Sequence, residues 1–159
     1  KEFDMQSLSS ARSMSSHLIT LGASVFLALF LFAGFAKAAS VNVDANGLAL
    51  QGYDPVAYFT MNKPVKGSGE FTAKHNGGIY HFSSAKNQAL FSASPDRYAP
   101  QYGGYCAYGL SYGSKAPIEV DKFKVVDGKL YLNFNADIQS RWVKDIPGHI
   151  AKANQNWTN

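Results

Sequence analysis

The sequence predicts an α+β fold, with a small antiparallel sheet built from two hairpins and helices packed against it. Two segments alternate apolar and polar residues around a tight-turn sequence, at Asn76-Gly77-Gly78 and at Asp127-Gly128, which is the pattern of a β-hairpin. Helical segments follow at Ser84 and Asn135, two residue types that cap helices. The chain has 159 residues, which suits one domain with one core.

The N-terminal region predicts export. Leu18 to Phe35 is an apolar run without a charge, and Ala36-Lys37-Ala38 places small residues where a signal peptide is cleaved. We assign residues 1–39 to a signal peptide or an uncleaved anchor, led by residues 1–4 that lie outside the fold, and residues 40–159 to the folded domain. A cleaved protein would be periplasmic or secreted, whereas an anchor at residues 18–35 would hold it at the inner membrane.

The first half of the domain begins with a helical turn and a hairpin. Asp54 can cap a turn of helix in which Pro55 takes the first position, where its missing N–H costs nothing. The hairpin that follows places Tyr80 and Phe82 on one face and His81 on the other. His81 therefore faces away from the core that Tyr80 and Phe82 join.

The later elements are predicted from helical spacing and strand alternation. A helix begins at Ser84, the second hairpin turns at Asp127-Gly128, Asn135 caps another helix, and a last helix follows Pro147. The expected packing residues of the first of these helices are Ala85, Ala89, Leu90 and Ala93. Those of the second hairpin are Val126, Leu130, Leu132 and Phe134.

Composition and motifs exclude several function classes. The net charge is +4 and the lysines are scattered singly, so we expect no nucleic-acid binding. The chain contains one cysteine and no CxxC pair, which excludes a structural zinc site. It also lacks the nucleophile-elbow, phosphate-loop and dinucleotide fingerprints, so an enzymatic function is not expected.

Cys106 is the candidate for chemistry. It follows Gly103-Gly104, a pair that allows a sharp turn with N–H groups directed at the thiol. In an exported protein a lone cysteine is buried, bound to metal, paired with a partner or reactive. A buried thiol that acts as a small hydrophobe and a reactive thiol both fit this sequence. We assign His75 to solvent and expect an ordinary structural role for His149.

Four motifs together resemble the YHS domain family, and more narrowly its exported single-domain bacterial branch. They are GYDPVAYF from Gly52, YHFSS from Tyr80, PDRYAPQYGGYCAYG from Pro95 and VVDGKLYLNFN from Val125, and the similarity covers residues 41–157. The resemblance implies a metal-binding module, because such domains accompany copper-transporting ATPases and other metal-handling proteins. Relatives carry cysteines where this chain has Ser83 and Asn87. Some members of the exported branch carry selenocysteine at the position of Cys106, which favours a functional role for this residue.

Three functional hypotheses follow. In the first, Cys106, His81 and Met61 bind a metal ion, copper in the Cu(I) state being the best match for a thiolate, an imidazole and a thioether. In the second, Cys106 is a redox thiol that forms a sulfenic acid or a mixed disulfide with a partner protein. In the third, the tyrosines between residues 98 and 112 form a groove for a small ligand or a partner. Membrane contact is expected only through an uncleaved N-terminal segment.

Overall fold

The computed structural model describes residues 41–157. The signal peptide assigned to residues 1–39, and its alternative as an anchor at residues 18–35, lie outside the described residues. In residues 41–157 no helix combines the length and the apolar character that a membrane span requires.

The described chain contains helices and two antiparallel strand pairs, which confirms the α+β class. In chain order they are α1 (Ala57–Thr60), β1 (Ser68–His75), β2 (Gly78–Phe82), α2 (Ala85–Ala93), α3 (Pro95–Tyr98), α4 (Ala107–Ser111), β3 (Glu119–Val126), β4 (Lys129–Asn133), α5 (Ala136–Trp142) and α6 (Ile146–Asn156). Short 3₁₀ turns lie at Leu50–Gly52, Gln101–Gly104 and Val143–Asp145.

Both predicted hairpins are confirmed. Strand β1 pairs with β2 and β3 pairs with β4, each pair antiparallel, and within residues 41–157 each pair is a separate two-stranded sheet. The turns use left-handed backbone, with φ of 49° at Asn76 and 86° at Gly77, and 50° at Asp127 and 71° at Gly128. This conformation matches the twist of antiparallel strands, which is why these turn sequences are strong hairpin signals.

The capping residues are confirmed, but two expectations about packing are wrong. The Ser84 hydroxyl accepts a hydrogen bond at the start of α2, and the Asn135 side chain does so at the start of α5. The residue that α2 buries is Phe91, while the alanines expected on that face are exposed. A phenyl ring removes far more apolar area from water than a methyl group, so it determines the orientation of the helix. Phe134 is 43% exposed because strand β4 ends one residue before it.

Three groups of buried side chains form the core. The first is Ala49, Val56, Tyr80, Phe82, Phe91 and Tyr98. The second is Leu50, Tyr58, Cys106, Ile118, Leu130 and Leu132. The third is Tyr102, Ala107, Leu110, Tyr131, Trp142 and Ala153. Cys106 therefore belongs to the hydrophobic core around the second hairpin.

The two halves of the described chain repeat one arrangement, which the sequence analysis did not detect. Hairpin β1–β2 followed by α2 corresponds to hairpin β3–β4 followed by α5, and equivalent residues lie 51 positions apart, as the strand starts Ser68 and Glu119 do. Each hairpin has a register irregularity at the same place, directly after the first residue pair. Beside it, Gln88 Nε2 donates to a β1 carbonyl at 2.6 Å, and Gln139 Nε2 donates to the equivalent β3 carbonyl at 3.0 Å.

The correspondence extends upstream of each hairpin. Three successive residues with positive φ occur at Leu50–Gly52 and again at Tyr102–Gly104. Each run is followed by a tyrosine and then by the residue that caps a short helix, Asp54 before α1 and Cys106 before α4. The backbone N–H of Asp54 donates to the Val65 carbonyl at 2.9 Å, and that of Cys106 donates to the equivalent Ala116 carbonyl at 3.0 Å. Cys106 thus occupies in the second half the position that Asp54 occupies in the first.

Candidate functional site

Cys106 lies in the interior of the protein. Its side chain is 1% exposed and packs with Leu130 and Leu132 of strand β4. The glycine pair before it adopts the unusual backbone that the sequence suggested, with φ of 60° at Gly103 and 82° at Gly104. This turn directs the thiol into the core.

The Cys106 sulfur has two polar neighbours. It accepts a hydrogen bond from the backbone N–H of Gly109 at 3.4 Å, and its S–H donates to Asn133 Oδ1 at 3.8 Å. Asn133 is fully buried, and the same oxygen accepts from the backbone N–H of Tyr108 at 3.3 Å. Asn133 Nδ2 has no hydrogen-bond partner within residues 41–157. The site therefore holds an unused donor beside the thiol, at a cost of about 1–3 kcal/mol.

Asp54, the equivalent residue of the first half, is a fully buried carboxylate. Its Oδ1 accepts from the backbone N–H groups of Val56 at 2.9 Å and Ala57 at 3.3 Å. Its Oδ2 accepts from Ser83 N at 2.9 Å, Ser83 Oγ at 2.6 Å and Asn87 Nδ2 at 2.6 Å. These bonds offset the cost of burying the charge. Ser83 and Asn87 therefore both bind one oxygen of a buried carboxylate.

The two capping sites share their backbone donors and differ in their side chains. The amides of Tyr108 and Gly109 are equivalent to the two amides that bind the Asp54 carboxylate. In the second half one amide donates to the Cys106 sulfur and the other to Asn133. The second half therefore presents an anion-binding arrangement of N–H groups to a neutral pair of side chains.

The other two predicted metal ligands lie in different environments. His81 is half-buried, and its Nδ1 is 3.8 Å from the point where a Cβ on Gly52 would stand. Lys66 Nζ is 3.5 Å from that point, so a positive charge lies close to the imidazole and would repel a metal cation. Met61 is 50% exposed, at the end of α1. No group of three or more His, Cys, Asp or Glu side chains suited to a metal ion occurs within residues 41–157.

His75 was expected in solvent, and the structure corrects this. Its side chain is 15% exposed, and its Nε2 lies 3.1 Å from Asp96 Oδ1. Both residues line a cavity together with Tyr80, Tyr102 and other residues. The sequence offered no signal for this pairing, because Asp96 is separated from His75 by β2 and α2 and only the fold brings the two together.

His149 contacts Ser111, but the pair is not arranged as a nucleophile and its base. Ser111 Oγ lies 2.9 Å from His149 Nδ1 and donates its hydroxyl proton to the Tyr108 carbonyl at 2.7 Å. The imidazole must therefore donate from Nδ1 to the hydroxyl oxygen, which leaves Nε2 as its lone-pair nitrogen. The ring also packs against Tyr108, at a centroid distance of 4.8 Å.

A scan against protein-family models matches no family to this chain, and searches of the curated proteins and of the solved structures also find no match. The resemblance to the YHS family stays a prediction that rests on the four sequence motifs.

Proposed function

We propose that this chain is an exported thiol redox protein, with no catalytic turnover, and that Cys106 is the group that is oxidised. The equivalence of Cys106 and Asp54 carries this proposal. In the first half two backbone N–H groups at this position bind an anionic side chain, and the same two groups are present beside Cys106. Oxidation would turn the Cys106 side chain into an anion of similar shape.

The oxidant is hydrogen peroxide, and the product is a sulfinate. The Cys106 sulfur attacks one peroxide oxygen, so that an S–O bond forms, the O–O bond breaks and water leaves with the thiol proton. The sulfur loses two electrons and becomes a sulfenic acid. A second peroxide molecule repeats the step and gives a sulfinic acid and another water, and loss of the proton leaves a sulfinate.

Burial favours this oxidation over exchange with a partner protein. A mixed disulfide requires a partner thiolate to approach the sulfur directly, and the Cys106 side chain is 1% exposed. Hydrogen peroxide is little larger than water and enters through small local openings of the fold. The sulfenic-acid route of the redox hypothesis is therefore the better supported one.

The neighbouring groups suit the oxidised product. The Gly109 N–H already donates to the sulfur position. A half-turn of the Asn133 carboxamide would direct Nδ2, which has no partner within residues 41–157, at a sulfinate oxygen. The Tyr108 N–H, released from Asn133 Oδ1, would then donate to the second oxygen. Oxidation would thus give Asn133 Nδ2 an acceptor, while Oδ1 moves to the position that Nδ2 leaves.

Mass spectrometry of the folded full chain tests the proposal. We expect peroxide to add two oxygen atoms to the peptide that contains Cys106, without unfolding the protein. Met61 is 50% exposed and also oxidises, so the experiment uses a Met61→Leu background and assigns the added oxygens by peptide mapping. The matched control is Cys106→Ser in the same background, which should gain no oxygen in that peptide.

A stability comparison provides an independent readout. Cys106→Asp places a carboxylate where the sulfinate would form, and we expect it to melt at a temperature no lower than that of Cys106→Ser. The proposal fails if the folded protein keeps a free thiol in peroxide that oxidises the denatured chain. It also fails if Cys106→Asp is unfolded under conditions where Cys106→Ser is folded.

Copper binding by Cys106, with His81 and Met61 as further ligands, is the second candidate. It is favoured by the soft sulfur that the second half carries where the first half has a carboxylate. Cys106 is 1% exposed whereas Met61 is 50% exposed, so the sulfur would have to become accessible before it could share a metal ion with Met61. Titration of the full chain with Cu(I) against a competing chelator tests it, because Cys106→Ser should lose the bound ion while His149→Gln should retain it.

A further inference from the structure

A cavity is lined by residues from both halves of the described chain. Its volume is about 360 Å³, within the range of small-molecule sites. Its wall is formed by the end of hairpin β1–β2, the segment after α3, the start of β4 and the residue after α6. The side chains that matter for recognition are His75, Tyr80, Asp96, Tyr102, Lys129 and Trp157.

Tyr80 contributes a tyrosine ring and its hydroxyl to this wall. The residue is 1% exposed, and its ring packs against Phe91 at a centroid distance of 4.9 Å. The residue lines the cavity, where its hydroxyl is the polar group that it can offer to a ligand. Burial raises the pKa of Tyr80 to about 12, so the hydroxyl keeps its proton at neutral pH and can donate. A tyrosine hydroxyl that is buried at its ring normally has a partner.

The cavity also carries one charge of each sign. Lys129 follows the Asp127-Gly128 turn and has no acidic side chain within 4.0 Å among residues 41–157. Asp96 bonds His75 through one oxygen and is otherwise open to solvent, with 91% of its side chain exposed. The Trp157 and Tyr102 rings, 6.1 Å apart between centroids, form an aromatic part of the wall. An ammonium, a carboxylate and an aromatic surface are complementary to a zwitterion with an apolar side chain.

We infer that this cavity binds a small zwitterionic amino acid with an apolar side chain. The ligand carboxylate pairs with Lys129 and accepts a hydrogen bond from the Tyr80 hydroxyl. The ligand ammonium pairs with Asp96, and the apolar side chain packs against Trp157. This binding is independent of the redox function proposed for Cys106, which lies in a different core group.

Calorimetric titration of the full chain with L-phenylalanine tests the inference. We expect saturable binding of L-phenylalanine. The affinities for 3-phenylpropionate and for phenethylamine should each be lower by about tenfold or more, because each compound lacks one of the two charges. Tyr80→Phe removes only the hydroxyl and should weaken L-phenylalanine binding by about tenfold. Tyr131→Phe is the matched control, because Tyr131 is the equivalent tyrosine of the second half and does not line this cavity; it should bind as the parent does.

Three results would overturn the inference. The first is the absence of saturable binding by L-phenylalanine and by L-leucine, a second apolar amino acid. The second is equal affinity for L-phenylalanine and 3-phenylpropionate, which would remove the role of Asp96. The third is unchanged affinity in both Tyr80→Phe and Lys129→Met. Lys129 is exposed at the start of β4, so its variant stays informative if Tyr80→Phe is destabilised.

Discussion

Replacing Asp54 with asparagine tests the network that joins α1 to the connection between β2 and α2. The substitution keeps the size of the side chain, removes the charge and exchanges one oxygen for an NH₂ group. If that group takes the place of Oδ2, it faces the backbone N–H of Ser83, which can only donate. In the other orientation it faces the N–H groups of Val56 and Ala57. Either orientation leaves at least one buried N–H group without an acceptor.

The expected loss of stability follows from these contacts. Hydrogen bonds to a charged group contribute about 1.5–3 kcal/mol, and one orphaned buried N–H group costs about 1–3 kcal/mol. We therefore expect the free energy of unfolding to fall by about 3–5 kcal/mol, as for other broken buried charge networks. That is a large share of the total stability of a domain, which is typically about 5–15 kcal/mol. Urea denaturation followed by circular dichroism measures the change, provided that the m-value is unchanged.

The matched control is Asp96→Asn. Asp96 carries the same functional group at a site where 91% of the side chain is exposed, so we expect its replacement to cost less than about 1 kcal/mol. If Asp54→Asn also costs less than about 1 kcal/mol, the carboxylate is not needed to hold these elements together. The comparison between Asp54 and Cys106 would then lose its basis.

Three further predictions concern the rest of the fold. Burial raises the pKa of Tyr80 from 10.0 to about 12, so the folded state keeps a proton that the unfolded chain releases. The contribution of Tyr80 to the free energy of unfolding should therefore fall by about 3 kcal/mol as the pH rises through this range, and urea titrations of Tyr80→Phe should show a smaller total fall. A Cβ on Gly67 would lie 2.5 Å from a backbone carbonyl carbon of β2, whereas one on Gly69 would have its nearest neighbour at 3.7 Å. Urea denaturation should therefore show that Gly67→Ala lowers the free energy of unfolding by about 1–3 kcal/mol and that Gly69→Ala changes it little. Gln88→Ala and Gln139→Ala should each lower the free energy of unfolding by about 1 kcal/mol in the same assay. Clearly different losses of stability would contradict the equivalence of the two glutamines.

The turns and caps of this fold could be predicted because their chemistry is local. Asn76-Gly77 and Asp127-Gly128 adopt left-handed backbone that few other residue pairs accept, so the sequence alone indicates the hairpins. Ser84 accepts a hydrogen bond from the amide three residues later, which is the usual geometry of a helix cap. Each of these features depends on residues within a few positions of one another.

The duplication could not be predicted because the halves share a backbone arrangement and few residues. Among equivalent positions, Tyr80 matches Tyr131 and Gln88 matches Gln139, but His81 corresponds to a leucine of β4. The runs of positive φ also differ, since Leu50 and Gln51 adopt a conformation that glycine favours. Periodicity in the sequence did not report these features.

The partners of Asp54 and His75 were missed for a related reason. The Asp54 carboxylate bonds Ser83 and Asn87, which lie 29 and 33 positions away in the sequence. A capping aspartate predicted from its neighbours alone is expected to face solvent on one side. Only the packing of β2 and α2 over α1 encloses it and turns a local cap into a buried network.

The surroundings of Cys106 in the second half suit an unoxidised thiol better than a carboxylate. The positions equivalent to Ser83 and Asn87 are Phe134 and Ile138, so the two side-chain donors that bind one carboxylate oxygen in the first half are absent. An aspartate at position 106 would still accept hydrogen bonds from the backbone amides, but it would have no side-chain donors beside it. A thiol needs fewer hydrogen bonds and tolerates apolar surroundings, which suits the leucines of β4.

Asn133 changes this balance, because it replaces an apolar residue of the first half. Its equivalent is Phe82, which is fully buried in the first core group. A buried amide at that position, with Nδ2 unpartnered within residues 41–157, weakens the site unless an acceptor forms beside it. Asn133→Leu removes this amide and with it the acceptor of the Tyr108 N–H, so we expect the melting temperature of the reduced protein to change little and that of the peroxide-treated protein to fall. An equal shift for both forms would mean that Asn133 acts on packing alone and has no part in holding an oxidised Cys106.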